Sequence, residues 1–184
     1  MTDPAALHQD ALALLRSWTA PDAEQEAVRR AYVAHLEAEP TGLQRGCYPA
    51  HITASTLIVS TDRARVLLTL HAKAKAWFQM GGHCEPSDTT LAAAALREAV
   101  EESGLAELAL DPVPVQLSSH AVPFCDPRGG AEHLDVRFLA VAPDESAHAV
   151  SDESLDVRWW PVDGLPTDEP NLLALVELGR RRLV

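Results

Sequence analysis

Three glutamates in the middle of the chain have the spacing that would bring their carboxylates together on a helix. Residues three and four positions apart are neighbours on a helix surface, so Glu98, Glu101 and Glu102 would share one face. Like charges at this spacing destabilise a helix by about a few tenths of a kcal/mol per pair. The formal net charge of -12 offers no excess of cations to offset that repulsion. Mg²⁺ or Mn²⁺ would relieve it, because both prefer clustered carboxylate oxygens; without further context, a solvated acidic face is the ordinary explanation.

The residues around these glutamates form a Gly-Gly turn, a polar loop and an alanine-rich helix between positions 81 and 105. Glu85 and Asp88 lie in the loop. Gly104 follows the last helical turn, where a glycine is expected to end a helix. The face opposite the glutamates is expected to pack against the domain through Ala92, Leu96, Ala99 and Val100.

This segment resembles the Nudix box, a pattern of Gly, five residues, Glu, seven residues and then Arg-Glu-U-x-Glu-Glu-x-Gly-U, where U is a bulky aliphatic residue. Gly82 matches the first glycine, and the second half is matched by Arg97, Glu98, Glu101, Glu102, Gly104 and Leu105. Two positions depart from the pattern: Asp88 replaces the first Glu, and eight rather than seven residues separate it from Arg97. The additional residue falls at the junction of loop and helix, where it need not rotate the glutamates.

The resemblance implies an α/β protein: a Nudix-like α/β/α sandwich around a mixed sheet, with residues 1–45 as an N-terminal helical extension and residues 46–184 as the hydrolase domain. It implies hydrolysis of a diphosphate linkage in a small phosphorylated molecule, a nucleoside diphosphate derivative, with Mg²⁺ or Mn²⁺ as cofactor. Metal ions suit this reaction because they neutralise diphosphate charge and lower the pKa of a bound water. Two alternatives stay open: a Nudix-fold module that binds a nucleotide without turnover, and an enzyme on an unrelated metal-carboxylate scaffold.

The resemblance also implies which residues would carry the chemistry. The expected metal ligands are the backbone carbonyl of Gly81 and the carboxylates of Glu85, Glu98, Glu101 and Glu102. The expected catalytic residues are Arg97, Glu101, Glu102 and Glu153. Arg97 would orient the glutamates through ion pairs, and Glu101 or Glu153 would be the general base. Glu153 is included because it precedes Trp159 by six residues, as a Glu does in a late strand of some Nudix proteins.

Three further residues are expected to contact substrate: Lys75, His83 and Arg137. Lys75 belongs with His71 and Lys73 to a small basic cluster before the Gly-Gly turn, where an ammonium group could meet a phosphate; a solvated loop is the alternative. His133, Asp135 and Arg137 alternate along a predicted strand and so point to one face, which is either substrate-facing or exposed to solvent.

Hydrophobic periodicity predicts the remaining elements. Helices are expected over residues 4–18, 22–39 and 171–183, where apolar residues recur at spacings of three and four. Strands are expected over residues 51–59, 64–70, 113–121 and 134–142, with a further strand within 151–162. The first two helices precede the Nudix-like core and would either cover it or form a homodimer contact.

The composition argues against several other classes of function. The isoelectric point near 5.0 disfavours binding to a nucleic-acid polymer. No apolar run approaches the roughly 20 residues of a membrane span, and the N-terminus lacks a secretion signal. Three widely spaced cysteines predict no disulfide framework and a cytoplasmic location. His83 and Cys84 would suit zinc, but no second Cys/His pair has zinc-ligand spacing, so no zinc site is expected.

Overall fold

The computed structural model describes residues 4–123, 125–143 and 154–183. Four helices lie in these ranges: α1 (Pro4–Ser17), α2 (Ala23–Ala38), α3 (Leu91–Ser103) and α4 (Pro170–Arg182). The strands are β1 (Ala50–Ser60), β2 (Arg65–His71), β3 (Trp77–Phe78), β4 (Met80–His83), β5 (Ala109–Ala121), β6 (Glu132–Ala142) and β7 (Ser154–Pro161). Each helix and strand expected from the periodicity is present within these ranges, which confirms the predicted α/β class.

The seven strands form one mixed sheet organised around β1. Strand β1 pairs in parallel with β6 along its whole length, and β5 pairs antiparallel with the far edge of β6. The other edge of β1 is shared, because its first half pairs with β4 and its last residues pair with β2. Strands β3 and β7 both pair with β2. The short strand β4 therefore lies beside the first half of β1.

Helices cover both faces of this sheet. On one face, α1, α2 and α3 share a hydrophobic cluster with the sheet, in which Leu15, Tyr32, Ile52 and Phe138 are buried. On the other face, α4 packs against the second half of β1 and against β6 through a separate cluster that includes Leu175. Of the two roles considered for the N-terminal helices, the structure shows the first: they cover the core of their own chain.

Strand β5 begins at Ala109, four residues before the predicted start. Two prolines interrupt its ladder because they have no backbone N–H, and the register shifts between Asp111 and Gln116. The amide of Gln25 bonds both the N–H and the carbonyl of Leu117, at 2.7 and 2.9 Å. Helix α2 therefore supplies hydrogen bonds to the strand just after the irregularity.

Helix α3 is bounded by caps at both ends. The hydroxyl of Thr90 accepts a hydrogen bond from the N–H of Ala93, and Asp10 of α1 accepts one from the N–H of Leu91 at 2.9 Å. Gly104 ends the helix in the left-handed conformation, at φ 71°, as the sequence predicts. These caps fix where the helix starts and ends.

The predicted inner face of α3 was wrong in part. The buried residues are Leu91, Ala94, Ala95, Ala99 and Ser103, whereas Ala92, Leu96 and Val100 are only partly buried. The small alanines allow the helix to lie close to β1, where Thr56 donates a hydrogen bond to the carbonyl of Ala95. The buried face of α3 is thus rotated about the helix axis relative to the predicted one. As a result Glu98 points inward, and its side chain is only 16% exposed.

Replacing Asp10 by alanine should lower the free energy of unfolding by about 1 kcal/mol, because the N–H of Leu91 loses its acceptor at a helix N-terminus. Urea unfolding followed by circular dichroism measures the change. Gln9→Ala is the matched control, since Gln9 is an exposed neighbour on the same helix. Equal unfolding free energies for the two variants would contradict the capping role.

Candidate functional site

Two glycines in β4 allow the strand to fit between β1 and α3. Gly81 pairs with Ser55 of β1, and an added Cβ would lie 2.3 Å from the Cβ of Ser55. Gly81 also has a φ of 155°, which side-chain-bearing residues rarely adopt. An added Cβ on Gly82 would lie 2.7 Å from a carboxylate oxygen of Glu98. The Gly-Gly pair thus brings the box helix and the sheet into direct contact.

Arg97 connects the loop before α3 to the helix through five hydrogen bonds. Its guanidinium makes two bonds to Asp88, at 3.0 and 3.1 Å, and one to the carbonyl of His83. Its Nη1 also bonds Glu98 at 3.0 Å and Glu101 at 3.1 Å. The hydrogen bonds to Asp88 and Glu98 hold the pKa of Arg97 well above its usual value. Asp88 is buried and accepts two hydrogen bonds from Arg97. The aspartate that replaces Glu in the box pattern therefore holds the guanidinium in place.

The structure places the four candidate metal-binding glutamates differently. Glu98 is mostly buried against Gly82, and Glu102 accepts a hydrogen bond from the N–H of Gly81 at 2.8 Å. Glu101 and Glu85 are more exposed, at 58% and 56% of their side-chain surface. Glu153 lies outside the described residues. The roles of all these residues stay predictions.

The donor chemistry of this group fits a hard divalent cation. The carboxylate of Glu98 lies against Gly82, and that of Glu102 accepts a hydrogen bond from the N–H of Gly81. Oxygen-only donors of this kind are preferred by Mg²⁺ and Mn²⁺. A side chain at Gly82 would fill the space against Glu98, so the glycine keeps that carboxylate close to the strand.

A cavity of about 390 Å³ opens on the opposite face of the sheet, between β1, β6 and the start of α4. Its floor comes from alternate residues of the two parallel strands, because Thr53 lies opposite Asp135 and Ser55 lies opposite Arg137. Gly81, Gly82 and Glu102 line its rim. The carboxylate of Glu102 on the box helix and the floor of the cavity are therefore separated only by Gly81 and Gly82, which have no side chains.

The floor of this cavity carries a buried ion pair. Asp135 lies 2.9 Å from Arg137 and accepts hydrogen bonds from Ser55 and Thr53. Burial alone would raise the pKa of Asp135, but Arg137 and the bond from Ser55 hold it below its usual value. Asp135 and Arg137 are therefore buried and line a cavity, so of the two alternatives left open for this face the structure does not show the solvent-exposed one.

Positive side chains surround the same cavity. Arg45, Lys73 and Arg137 line it, together with His71. Lys75, the other candidate of the basic cluster, is exposed in a turn with a positive φ of 57°, and it is not among the described residues that line the cavity. Of the two lysines considered, the structure brings Lys73 to the cavity.

Four residues that the sequence did not connect lie close together: His51, His83, Cys125 and His133. The last three of them line the cavity. The ligand atoms of all four residues lie within 4.8 Å of one another. Burial lowers the pKa of His51, and it lowers the pKa values of His83 and His133 to about 4 and about 3. Burial therefore favours the neutral form of all three imidazoles. We call these four residues the His/Cys cluster.

The sequence argument about zinc paired His83 with Cys84, whereas the structure places the His83 imidazole beside Cys125. Cys84 is not part of the His/Cys cluster, and burial raises the pKa of its thiol to about 12. The cluster instead takes donors from β1, β4, β6 and the segment between β5 and β6, so no pair within it has zinc-ligand spacing. The sequence held one signal for this cluster. His51 is the second residue of β1 and His133 is the second residue of β6, and the two residues are paired in the sheet.

Gly81→Ala and Gly82→Ala should differ in stability although they are adjacent. The first places a Cβ against the backbone and Cβ of Ser55 and should lower the free energy of unfolding by about 1–3 kcal/mol. The second meets only the carboxylate of Glu98, which can rotate away, so its loss should be smaller. Urea unfolding of both variants compares them, and an equal or larger loss for Gly82→Ala would contradict the assignment.

Comparison with known proteins agrees with this geometry. The NUDIX domain profile matches residues 49–178. A hydrolase of the NUDIX family from Clostridium perfringens is 24% identical, with a TM-score of 0.57 over 72% of this chain and 97% of that chain. The NUDIX domain of Shewanella oneidensis NrtR, solved with ADP ribose, is 20% identical, with a TM-score of 0.57 over 77% and 93%.

A third structure, the dihydroneopterin triphosphate pyrophosphohydrolase of E. coli, is 19% identical, with a TM-score of 0.55 over 68% of this chain and 92% of that chain. Comparison with curated protein sequences found no match. In the part of the chain that the structure describes, no helix combines the length and apolar character needed to cross a membrane. The profile match spans more than half of the chain, and the chain therefore belongs to the NUDIX family.

Proposed function

We propose that this protein hydrolyses a diphosphate linkage in a nucleoside diphosphate derivative, with Mg²⁺ or Mn²⁺ as cofactor. One observation carries the proposal: Glu102 of the box helix lines the same cavity as Arg45, Lys73 and Arg137. A diphosphate needs cationic groups to bind it and carboxylates to hold a metal beside it. This arrangement brings both kinds of group to one cavity.

The residues of the chain have distinct roles in this proposal. Glu98, Glu102 and the carbonyl of Gly81 would hold the cation, which when bound would neutralise diphosphate charge and lower the pKa of a water. Arg97 fixes the directions of Glu98 and Glu101 through its hydrogen bonds and keeps the loop against the helix. Arg97 is therefore a positioning residue, since Asp88 and the box glutamates already engage its guanidinium.

The general base is proposed to be Glu101 or Glu153. The carboxylate of Glu101 is more than half exposed and lies 3.1 Å from Arg97, so a water molecule could reach it. Glu153 is the alternative base, and only its sequence position, which resembles that of a Glu in some Nudix proteins, supports it.

The cavity also supports a polar organic group attached to the diphosphate. Gln79 Oε1, Ser118 Oγ and His120 Nδ1 are buried without a hydrogen-bond partner among the described residues, and all three residues line the cavity. Buried polar atoms normally find a partner, so a ligand rich in donors and acceptors would suit these three. ADP ribose, present in the Shewanella oneidensis structure, is a molecule of that kind.

The alternative function is a module that binds a nucleotide without hydrolysing it. It is favoured by the contacts of the box glutamates, because Arg97 engages Glu98 and Glu101 while the N–H of Gly81 engages Glu102. A cation would have to compete with these contacts. Binding and turnover therefore have to be measured separately.

The deciding experiment is a release assay for phosphate and nucleotide over a panel of nucleoside diphosphate derivatives. Each compound is incubated with Mg²⁺, with Mn²⁺ and with EDTA. Cleavage that requires the metal and is confined to one class of compound is the expected result. Nucleotide binding by calorimetry without cleavage anywhere in the panel would establish the binding module instead.

Glu98→Gln and Glu102→Gln should each lower kcat by at least about a hundredfold, since removing a carboxylate ligand removes several kcal/mol of metal-dependent stabilisation. Glu107→Gln is the matched control, because Glu107 is exposed and follows the box helix. Circular dichroism checks that all three variants remain folded. Near-wild-type turnover in both box variants would show that these carboxylates do not hold the catalytic cation.

A further inference from the structure

The His/Cys cluster converges on a single sulfur atom. Cys125 Sγ lies 3.3 Å from His133 Nε2, 3.4 Å from His83 Nε2 and 3.8 Å from His51 Nε2. The three imidazole rings also lie close together, with centroids 4.9 to 5.1 Å apart. Three Nε2 atoms and one thiol sulfur therefore surround a common point, although the residues come from four separate segments of the chain.

These distances match the dimensions of a tetrahedral zinc site. With Zn–S near 2.3 Å and Zn–N near 2.0–2.1 Å, a tetrahedral angle at the metal separates sulfur from nitrogen by about 3.5–3.6 Å. The three observed separations of 3.3, 3.4 and 3.8 Å lie on either side of that value. The sulfur-to-nitrogen spacing of a tetrahedral site is therefore present, and all four donor atoms lie within 4.8 Å of one another.

His51 also has the tautomer that a metal ligand needs. Its Nδ1 lies 3.1 Å from the carbonyl of Cys47, and because a carbonyl only accepts, Nδ1 carries the proton. Its Nε2 therefore presents a lone pair toward Cys125 Sγ. A metal-binding histidine whose second nitrogen donates to a backbone carbonyl is a common arrangement in proteins. This contact is independent of the distances between the four donors.

We propose that His51, His83, Cys125 and His133 form a binding site for one Zn²⁺ ion, separate from the carboxylates of the box helix. Nitrogen and thiolate donors select zinc over Mg²⁺, which prefers oxygen. On binding, the thiol of Cys125 releases its proton and coordinates as the thiolate. Four protein ligands fill the tetrahedral shell, so this zinc has a structural role.

The position of Cys125 indicates what such a zinc would hold in place. Cys125 lies in the segment between β5 and β6, and the other three ligands lie on strands β1, β4 and β6. Val122 and Cys125 from this segment line the cavity. The zinc would therefore fasten the wall of the cavity to the sheet, and His83 would link it to the box because its carbonyl accepts from Arg97.

The test measures metal content and the spectrum of the cobalt-substituted protein. Wild-type protein prepared with added Zn²⁺ should retain about one equivalent after gel filtration. After exchange for Co²⁺, it should show a thiolate-to-cobalt charge-transfer band and the visible bands of a tetrahedral site. Cys125→Ser should lose the charge-transfer band, and its zinc affinity should fall by at least about tenfold. His133→Ala should lose a similar share of its zinc affinity. This second variant shows that the loss does not come only from introducing serine at position 125.

Two controls separate this site from its surroundings. Cys47→Ser removes a neighbouring thiol but keeps the carbonyl that binds His51, so it should retain both zinc and the cobalt band. The Glu98→Gln/Glu102→Gln double variant should retain them too, which excludes zinc bound by the box carboxylates. The proposal is overturned if folded wild-type protein neither retains zinc nor gives the cobalt band, or if Cys125→Ser retains as much zinc as wild type. Neither outcome depends on whether the diphosphatase activity is found.

Discussion

The candidate site depends on the close approach of strand β4 to both of its neighbours. Gly81 has no room for a Cβ against Ser55 of β1, and Gly82 has none against the carboxylate of Glu98 on α3. A side chain at position 81 would clash with β1, and one at position 82 would displace the carboxylate of Glu98. Because β4 has no side chains at these two positions, only its backbone separates the carboxylates on one side of the sheet from the cavity on the other side. The cationic and acidic groups of the site meet only under that condition.

Much of the fold could be predicted from the sequence because local patterns encode it. Periodic apolar residues predicted the helices, runs rich in β-branched residues predicted the strands, and Gly104 predicted the end of α3. The inner face of α3 could not be read in this way. It depends on how closely Ala94 and Ala95 approach β1, which is a property of packing rather than of the helix itself. The early start of β5 was missed because it depends on the pairing of Ala109, Leu110 and Asp111 with β6, which resumes only after an irregularity.

The cavity and the His/Cys cluster lay beyond local patterns because they depend on the pairing of β1 with β6. These strands are parallel and distant in sequence, so His51 meets His133 and Thr53 meets Asp135 only through their register. The sequence held a partial signal, since polar residues alternate at the start of both strands. Such alternation predicts one polar face for each strand, but it does not reveal that the two faces join and are covered. Long-range pairing, rather than the character of any single residue, turned two polar strand faces into a cavity floor.

The structure separates two kinds of metal-binding chemistry across one strand. His83 belongs to both sides: its carbonyl accepts a hydrogen bond from Arg97, which positions the box glutamates, and its imidazole faces Cys125. Donor type would sort the two cations, because oxygen donors suit Mg²⁺ and the thiolate with three imidazoles suits zinc. Under the two proposals, the His/Cys cluster would stabilise the wall of the cavity, and the box glutamates would hold the cation of the proposed reaction.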